Sequence, residues 1–398
     1  MKRVLMATTA VAMAAGASHA GSHASEVKLG VLLGFTGPAE SLAPDMAAGA
    51  EAAMAEVSES GMLLDGATVT PVRGDSTCID AAAATAAAER LITAESVNGI
   101  VGALCSGATG AAFQNVALAN GMVMISPSAT SPGLSTLEDN DLFFRTAPSD
   151  ARQGVVMAEI LLEQDITEVA VTYTNNDYGK GLADSFEAAY TERGGTVTIN
   201  AAHEDGKADY SAEVGALASA GGQRLVVAGY LDQGGPGIIQ AASDAGAFDT
   251  FHLPDGMIGD SITERLGDIL NGSTGQVPGT DSPGAALMGE VGEGAGFNGT
   301  APFAPESYDA AALIMLAMQA ADSIDPNDYK AKVFDVANAP GEEIFPGELA
   351  KGLQILKDGG EVNYVGGSAV ELIGPGESAG NYRQIEVIDA EITTVGFR

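Results

Sequence analysis

The chain has no tryptophan, two cysteines and four histidines in 398 residues, and its 18 lysines and arginines face 53 aspartates and glutamates. Each shortage excludes something. Two of the histidines lie within the first 24 residues. The other two, His203 and His252, stand beside acids but lack metal-ligand spacing and cysteine partners. A histidine-centred metal site is therefore not expected, and both are read as surface or loop residues. Without tryptophan nothing signals sugar stacking or an aromatic cage. The formal charge of −35 excludes long-range attraction to nucleic acid or to an anionic membrane surface. The acids are scattered rather than blocked, and pairs such as Glu342-Glu343 read as solvated helix or loop charge. So acidic a surface, with so few lysines, suits a salty medium in which screening reduces self-repulsion. No G-x-S-x-G elbow and no Walker A sequence occurs. The run Gly292-Glu293-Gly294-Ala295-Gly296 lacks the strand–turn–helix context of a dinucleotide site and reads as a flexible loop. No catalytic residue and no cofactor is expected.

Beyond the start of the chain no segment approaches 18 uninterrupted apolar residues. At the start, Lys2 and Arg3 precede an apolar stretch over 4–17, then small residues that offer cleavage after Ala20 or Ala24. This is the layout of a secretory signal peptide, expected over 1–24, and it assigns the mature protein to the periplasm. Cysteine usage agrees with export. Cys78 and Cys105 are an even count in an oxidising compartment, and a bridge between them is the expected state, two free buried thiols being the alternative. A bridge would hold the 106 loop rigid against the 75–77 loop.

Short apolar strands alternate with helical stretches. Strands are expected at 27–33, 68–73, 98–101, 122–125, 168–173, 196–200 and 224–228. Helices are expected at 45–58, 80–95, 110–119, 151–164, 180–193, 210–220 and 237–245. Such alternation indicates parallel sheets covered on both faces, and the number of units exceeds one sheet. The expected fold is therefore α/β, with two doubly wound parallel-sheet lobes. The segment 271–300, rich in Gly, Ser, Thr, Asn and Pro, reads as an irregular crossing. Helices at 308–323 and 345–358 and an alternating strand at 382–388 follow.

Two similar segments carry most of the chemistry. Gly102-Ala103-Leu104-Cys105-Ser106-Gly107-Ala108-Thr109 and Met124-Ile125-Ser126-Pro127-Ser128-Ala129-Thr130 each follow an apolar strand. Each supplies hydroxyls, small side chains and free backbone N–H groups. At strand carboxyl ends of an open α/β sheet such loops make a socket for a small carboxylate. The same residues also suit helix caps and turns.

Taken in order, the motifs resemble a family. Lys28-Leu29-Gly30-Val31 with Thr36-Gly37-Pro38, the Cys78 and Cys105 pair and Ser126-Pro127-Ser128-Ala129-Thr130 come first. Phe144-Arg145-Thr146, Tyr178-Gly179-Lys180-Gly181, Tyr308-Asp309-Ala310-Ala311 and the Tyr364, Gly367-Ser368 region follow. The chain resembles type I periplasmic solute-binding proteins of ABC importers, the leucine/isoleucine/valine-binding group, over nearly all of its mature length. The resemblance implies two lobes joined by three crossovers, lobe one over 26–147 and 279–378, lobe two over 148–278 and 379–398. It implies a monomer that takes a small ligand, an amino acid, into the cleft by hinge closure and presents it to an ABC permease in the inner membrane. Ser106 and Thr130, with Thr109, would hold the ligand carboxylate. The Ser128 carbonyl and its neighbour Ala129 would meet the ammonium, and Asp255 stands where such binders usually carry Glu. Tyr178 and Tyr230 would close over the ligand, and Phe35, Leu42 and Phe303 are candidates for a side-chain pocket. The 39–44 segment departs from the family's pattern. An aliphatic α-amino acid is the expected ligand. A urea-like amide, an aromatic carboxylate or a periplasmic sensor role are the alternatives.

Overall fold

A computed structural model describes residues 25–398; the expected signal peptide lies outside the described residues. The first strands are β1 (Glu26–Leu33), β2 (Thr68–Asp75), β3 (Gly99–Gly102), β4 (Met124–Ser126) and β5 (Phe143–Pro148). After them come β6 (Glu168–Thr174), β7 (Thr196–His203), β8 (Arg224–Ala228), β9 (Phe251–Leu253) and β10 (Thr274–Pro278). The remainder are β11 (Glu342–Ile344), β12 (Val362–Tyr364), β13 (Leu372–Ile373), β14 (Glu377–Ser378), β15 (Tyr382–Ile388) and β16 (Glu391–Phe397).

Two sheets of seven strands result, ordered β13-β14-β5-β4-β3-β1-β2 and β16-β15-β10-β9-β8-β6-β7. Each contains the order 2-1-3-4-5, and these five strands run parallel. That order reverses direction between the first and third strands of each lobe, where α/β sheets open a crevice at their carboxyl edge. Antiparallel pairs occur only late, β13 with β14, and β15 with both β10 and β16. The fold is two α/β lobes with mixed sheets in which parallel strands dominate. The alternating pattern of 382–388 marks this exception, since β15 is half covered. The chain passes between the sheets after Pro148, after Pro278 and after Ser378.

Strand interiors are apolar because both faces are covered: β3 and β8 are buried throughout. The helix Ala304–Ala321 is buried on nearly all sides and packs along the helix Ala43–Ser60. One carboxylate pins it to the distant 364–368 segment. Asp309 accepts from Tyr364 Oη (2.7 Å), Gly367 N–H (2.9 Å), Ser368 N–H (2.8 Å) and Ser368 Oγ (2.6 Å). Both of its oxygens are satisfied, so a buried acid here serves architecture.

Several expectations require correction. The segment 271–300 is not irregular; it contains β10 and a helix, Pro283–Ala295, which absorbs most of the 292–296 run read as a loop. Pro283 occupies the first helical position and Gly296 ends the helix in a left-handed cap (φ 81°). Glycine here permits close approach. A Cβ on Gly284 would stand 1.8 Å from the Gly366 carbonyl oxygen. The helix expected from 345 begins only at Leu349, because Pro346 and Gly347 precede it, and Glu342-Glu343 lie exposed on β11. His203 and His252 are not surface residues. Both are buried at strand positions, each with Nδ1 on a threonine Oγ1: Thr172 at 2.9 Å and Thr274 at 3.1 Å. Burial lowers their pKa values to about 4 and about 3, so both are neutral side chains of the core.

Cys78 and Cys105 form a disulfide, joining the loop after β2 to the start of the helix Ser106–Ala112. Closing a 27-residue separation restricts the unfolded chain, which stabilises the folded state by about 3.5 kcal/mol. Cys78→Ala with Cys105→Ala should lower the unfolding free energy by about that amount in guanidinium titrations. An unchanged midpoint would show that the bridge contributes nothing to stability.

Candidate functional site

The carboxyl ends of the two sheets face each other, and one cavity is lined from both sides. Its walls are Ala39, Leu42, Leu104, Cys105, Ser106, Ser128 and Phe303 from the first lobe, and Tyr178, Tyr230, Asp255 and Gly256 from the second. A volume of about 20 Å³ is left open between them, room for about one water molecule. The lobes touch at the mouth. Ser41 N–H donates to Asp232 Oδ2 (2.9 Å), Ser41 Oγ meets Ser261 Oγ (3.1 Å) and Asp232 N–H donates to the Pro38 carbonyl (3.0 Å). This is a closed arrangement.

The first-lobe wall is made by the paired loops after β3 and β4. The turn at Gly102 has φ 144°, and a Cβ there would lie 2.2 Å from the Leu32 carbonyl oxygen, so only glycine lets β3 turn so close to β1. Ser106 opens the helix Ser106–Ala112, and its Oγ accepts from Ser131 N–H at 3.1 Å, leaving its hydroxyl proton available. The Ser128 hydroxyl donates to the Leu104 carbonyl at 2.9 Å, tying one loop to the other. Arg145, fully buried on β5, holds the second loop from behind. It donates to the carbonyls of Ala129 (3.1 Å) and Ser131 (2.9 Å), to Ser135 Oγ (2.6 Å) and to Glu377 Oε2 (2.5 Å).

The second-lobe wall is acidic and aromatic. Tyr178 and Tyr230 stack with centroids 5.1 Å apart. Tyr178 Oη donates to Asp255 Oδ1 (2.7 Å), which also accepts from Gly256 N–H (2.7 Å). Asp255 is 1 % exposed, and its Oδ2 has no partner. Burial raises the Asp255 pKa, against its hydrogen bonds from Tyr178 and Gly256. A second buried acid stands beside it. Asp150, at the start of the helix Asp150–Glu163, accepts from Gln153 Nε2 (3.0 Å) through Oδ1, while its Oδ2 has no partner. Its pKa is raised well above the usual range, first by burial and then by the charge of Asp255. Gln153 Oε1 accepts from Asp255 N–H (3.2 Å) and from Gln276 Nε2 (2.9 Å), so one amide links both acids to β10. The Tyr382 hydroxyl, near both acids, is likewise buried without a partner.

Of the residues expected at a site, the structure gathers Ser106, Ser128, Tyr178, Tyr230 and Asp255 around one cavity. Leu42 and Phe303 line it too, whereas Phe35 lies under the Arg73 guanidinium. Thr130 sits behind the wall, its buried hydroxyl beside Asp150 but outside hydrogen-bond geometry. Ala129 turns its carbonyl to Arg145. Thr109 is not at the cavity; its hydroxyl donates back to the Cys105 carbonyl at 3.0 Å inside the helix. Asp150 and Gln153 are missed by sequence reasoning, which names Arg145 only within a motif and gives it no role. Ser149-Asp150 reads as an ordinary helix start, and Ser149 does cap that helix. Among the described residues no cluster of three or more His, Cys, Asp or Glu could hold a metal ion, and no helix is long and apolar enough to cross a membrane.

Comparison with known proteins agrees with the two-lobed fold. Residues 26–341 match the family described as Periplasmic binding protein. Leu/Ile/Val-binding protein homolog 1 of Brucella abortus is 29% identical over 324 residues, 80% of this chain and 85% of that protein. Homolog 3 of Brucella melitensis is 30% identical over 228 residues, 57% of this chain, and the match spans only 61% of that protein's length. The leucine-binding protein LivK of Thermotoga maritima superposes with a TM-score of 0.79 at 22% identity, covering 93% of this chain and 98% of that one. A solute-binding protein of R. palustris in complex with 4-hydroxybenzoate superposes at 0.75 with 17% identity, covering 94% and 97%. On the matched family and the two-lobed fold together, this chain belongs to the periplasmic binding proteins, which bind solutes for transport and are not enzymes.

Proposed function

We propose that this protein captures a small aliphatic α-amino acid between its lobes and delivers it, as a monomer in the periplasm, to an ABC permease of the inner membrane. The observation that carries the reading is the unpartnered Oδ2 of Asp255, buried at the wall of a small and otherwise largely apolar cavity. A buried carboxylate oxygen without a donor is costly, and a ligand ammonium removes that cost. Asp150 stands behind as a second negative charge, with Thr130 beside it. Opposite, the Ser106 hydroxyl faces the ligand carboxylate and the Ser128 carbonyl is offered to the ammonium. Tyr178 and Tyr230 cover the ligand, while Leu42, Leu104 and Phe303 surround an aliphatic side chain. Ala129 and Thr109 serve the loops rather than the ligand. Asp is one methylene shorter than Glu, so the ammonium sits deeper, toward Asp150.

The lobes move about the three crossings, and we set their boundaries at 147/148, 278/279 and 378/379. Closure is favoured only as far as the ligand binds the closed form better than the open one. The names of the Brucella relatives support an amino-acid ligand. An aromatic acid such as 4-hydroxybenzoate, bound by two structural neighbours, leaves Asp150 and Asp255 without a cation and fits less well.

A thermal-shift screen should therefore give its largest shift with an aliphatic α-amino acid rather than with urea, amides or aromatic acids. No shift with any α-amino acid would sink the assignment. Asp255→Asn should weaken that ligand about thirty-fold or more, the loss expected for a buried charge partner; unchanged affinity by calorimetry would refute the ammonium contact. The raised pKa values of Asp150 and Asp255 set the sign of the pH dependence. Ligand-free protein holds more protons folded than unfolded in the window above the ordinary Asp range, so its stability falls as pH rises through that window. A cationic ligand binds the ionised acids, so affinity falls as pH is lowered through the same window, with protons released on binding. Calorimetry in two buffers of different ionisation enthalpy reads that release directly, and equal heats would count against it.

A further inference from the structure

A second cavity, of about 230 Å³, lies at the crossings and shares no lining residue with the cleft. The second crossing contributes Pro278, Gly279 and Thr280; Pro305 and Glu306 come from one lobe, and Arg383 and Phe397 from the other. Glu306 stands in the first turn of the helix Ala304–Ala321 and is 1 % exposed. Its backbone carbonyl accepts from Thr146 Oγ1 at 2.8 Å, but its Oε2 has no partner. Arg383, on β15, donates to the Thr300 carbonyl at 3.3 Å. Among the described residues it makes no ion pair, although the Glu306 and Asp260 carboxyl groups are near it.

Burial raises the Glu306 carboxyl to about 8, with Asp309 adding to the rise and Arg383 opposing it. At neutral pH the group therefore carries its proton and is an O–H donor. The cavity presents a guanidinium and a carboxylic O–H, two donors side by side, in a chain whose formal charge is −35. A cation is disfavoured by Arg383, whereas a carboxylate satisfies both groups at once. Pro278, Pro305 and the half-exposed ring of Phe397 provide an apolar wall beside them.

We propose that this cavity is a second ligand site, which takes a small monocarboxylate between Arg383 and Glu306 and its short apolar body against Pro305 and Phe397. Because the walls come from both lobes, an occupant holds them together at the crossings. The site is independent of the cleft assignment, since it uses none of its residues.

The test uses butyrate, labelled with ¹³C at the carboxylate, titrated into the full mature protein and followed by NMR. Saturable binding is expected, with butylamine failing to compete. Arg383→Gln should weaken butyrate about ten- to hundredfold, the loss expected for a charged hydrogen-bond donor. Glu306→Gln keeps an N–H donor and should retain binding, whereas Glu306→Ala should lose it. Ala285→Leu, which fills the cavity without removing a hydrogen bond, should also abolish binding, and each variant's thermal transition confirms that it is folded. No saturable binding to the parent protein would overturn the proposal. So would butyrate binding that survives Arg383→Gln or Ala285→Leu, or binding lost on Asp255→Asn, which would place butyrate in the cleft.

Discussion

Parallel strands carry all their carboxyl ends on one edge, and the cleft groups of this protein are set by that constraint. Ser106 and Ser128 follow β3 and β4, Tyr178 follows β6, Tyr230 follows β8 and Asp255 follows β9. Two sheets of the same 2-1-3-4-5 order, set edge to edge, bring two crevices into one cavity. The loops there need not be long, because the sheets already deliver their ends to the same place. They need only be held still. Arg145 does so on one side by binding two carbonyls of the second loop and the Glu377 carboxylate of β14. The disulfide fastens the start of the first loop's helix on the other.

Buried acids divide into two kinds, and the division locates function. Asp309 is as buried as Asp255, yet donors satisfy both of its oxygens, so it joins a helix to a distant segment and asks for nothing more. Asp150 and Asp255 each keep one oxygen without a donor, and the charge of Asp255 makes Asp150 harder to ionise. An unsatisfied pair of this kind is costly in a protein that merely folds. It is explicable where a cation from outside completes it, and Gln153 keeps the two acids together until then. Glu306 repeats the logic on a smaller scale at the crossings, with Arg383 rather than a second acid as its neighbour.

Much of the fold is legible in the order of residues. Apolar runs of four to eight residues separated by helical stretches translate directly into the strands around which each lobe is wound. The places where such reading fails have a common cause. Gly292 looks flexible because a sequence shows a missing side chain and not the backbone pressed into its place, here that of Gly299, whose nitrogen would stand 2.3 Å from a Cβ. His203 and His252 look like surface residues because their threonine partners stand 31 and 22 residues away. Asp150 looks like a helix start because it is one; that the same carboxylate also lies beside Asp255, 105 positions on, depends on the first crossing and β9 meeting in space.

By itself, then, the sequence determined the class of molecule: the alternation of strands and helices, the two small-residue loops at strand ends, the cysteine pair and the absence of catalytic or metal-binding motifs. These are local properties, carried by periodicity, composition and spacing. Tertiary structure decided which hydroxyls reach the cavity and which turn back, so that Ser106 faces it and Thr109 bonds to the backbone of its own helix. It also decided which buried charges are satisfied. Whether a carboxylate oxygen has a donor is settled by groups dozens of residues apart in the chain, 55 to 59 positions for Asp309 and 77 for Asp255 with Tyr178, and only packing brings them within three ångströms or leaves them alone.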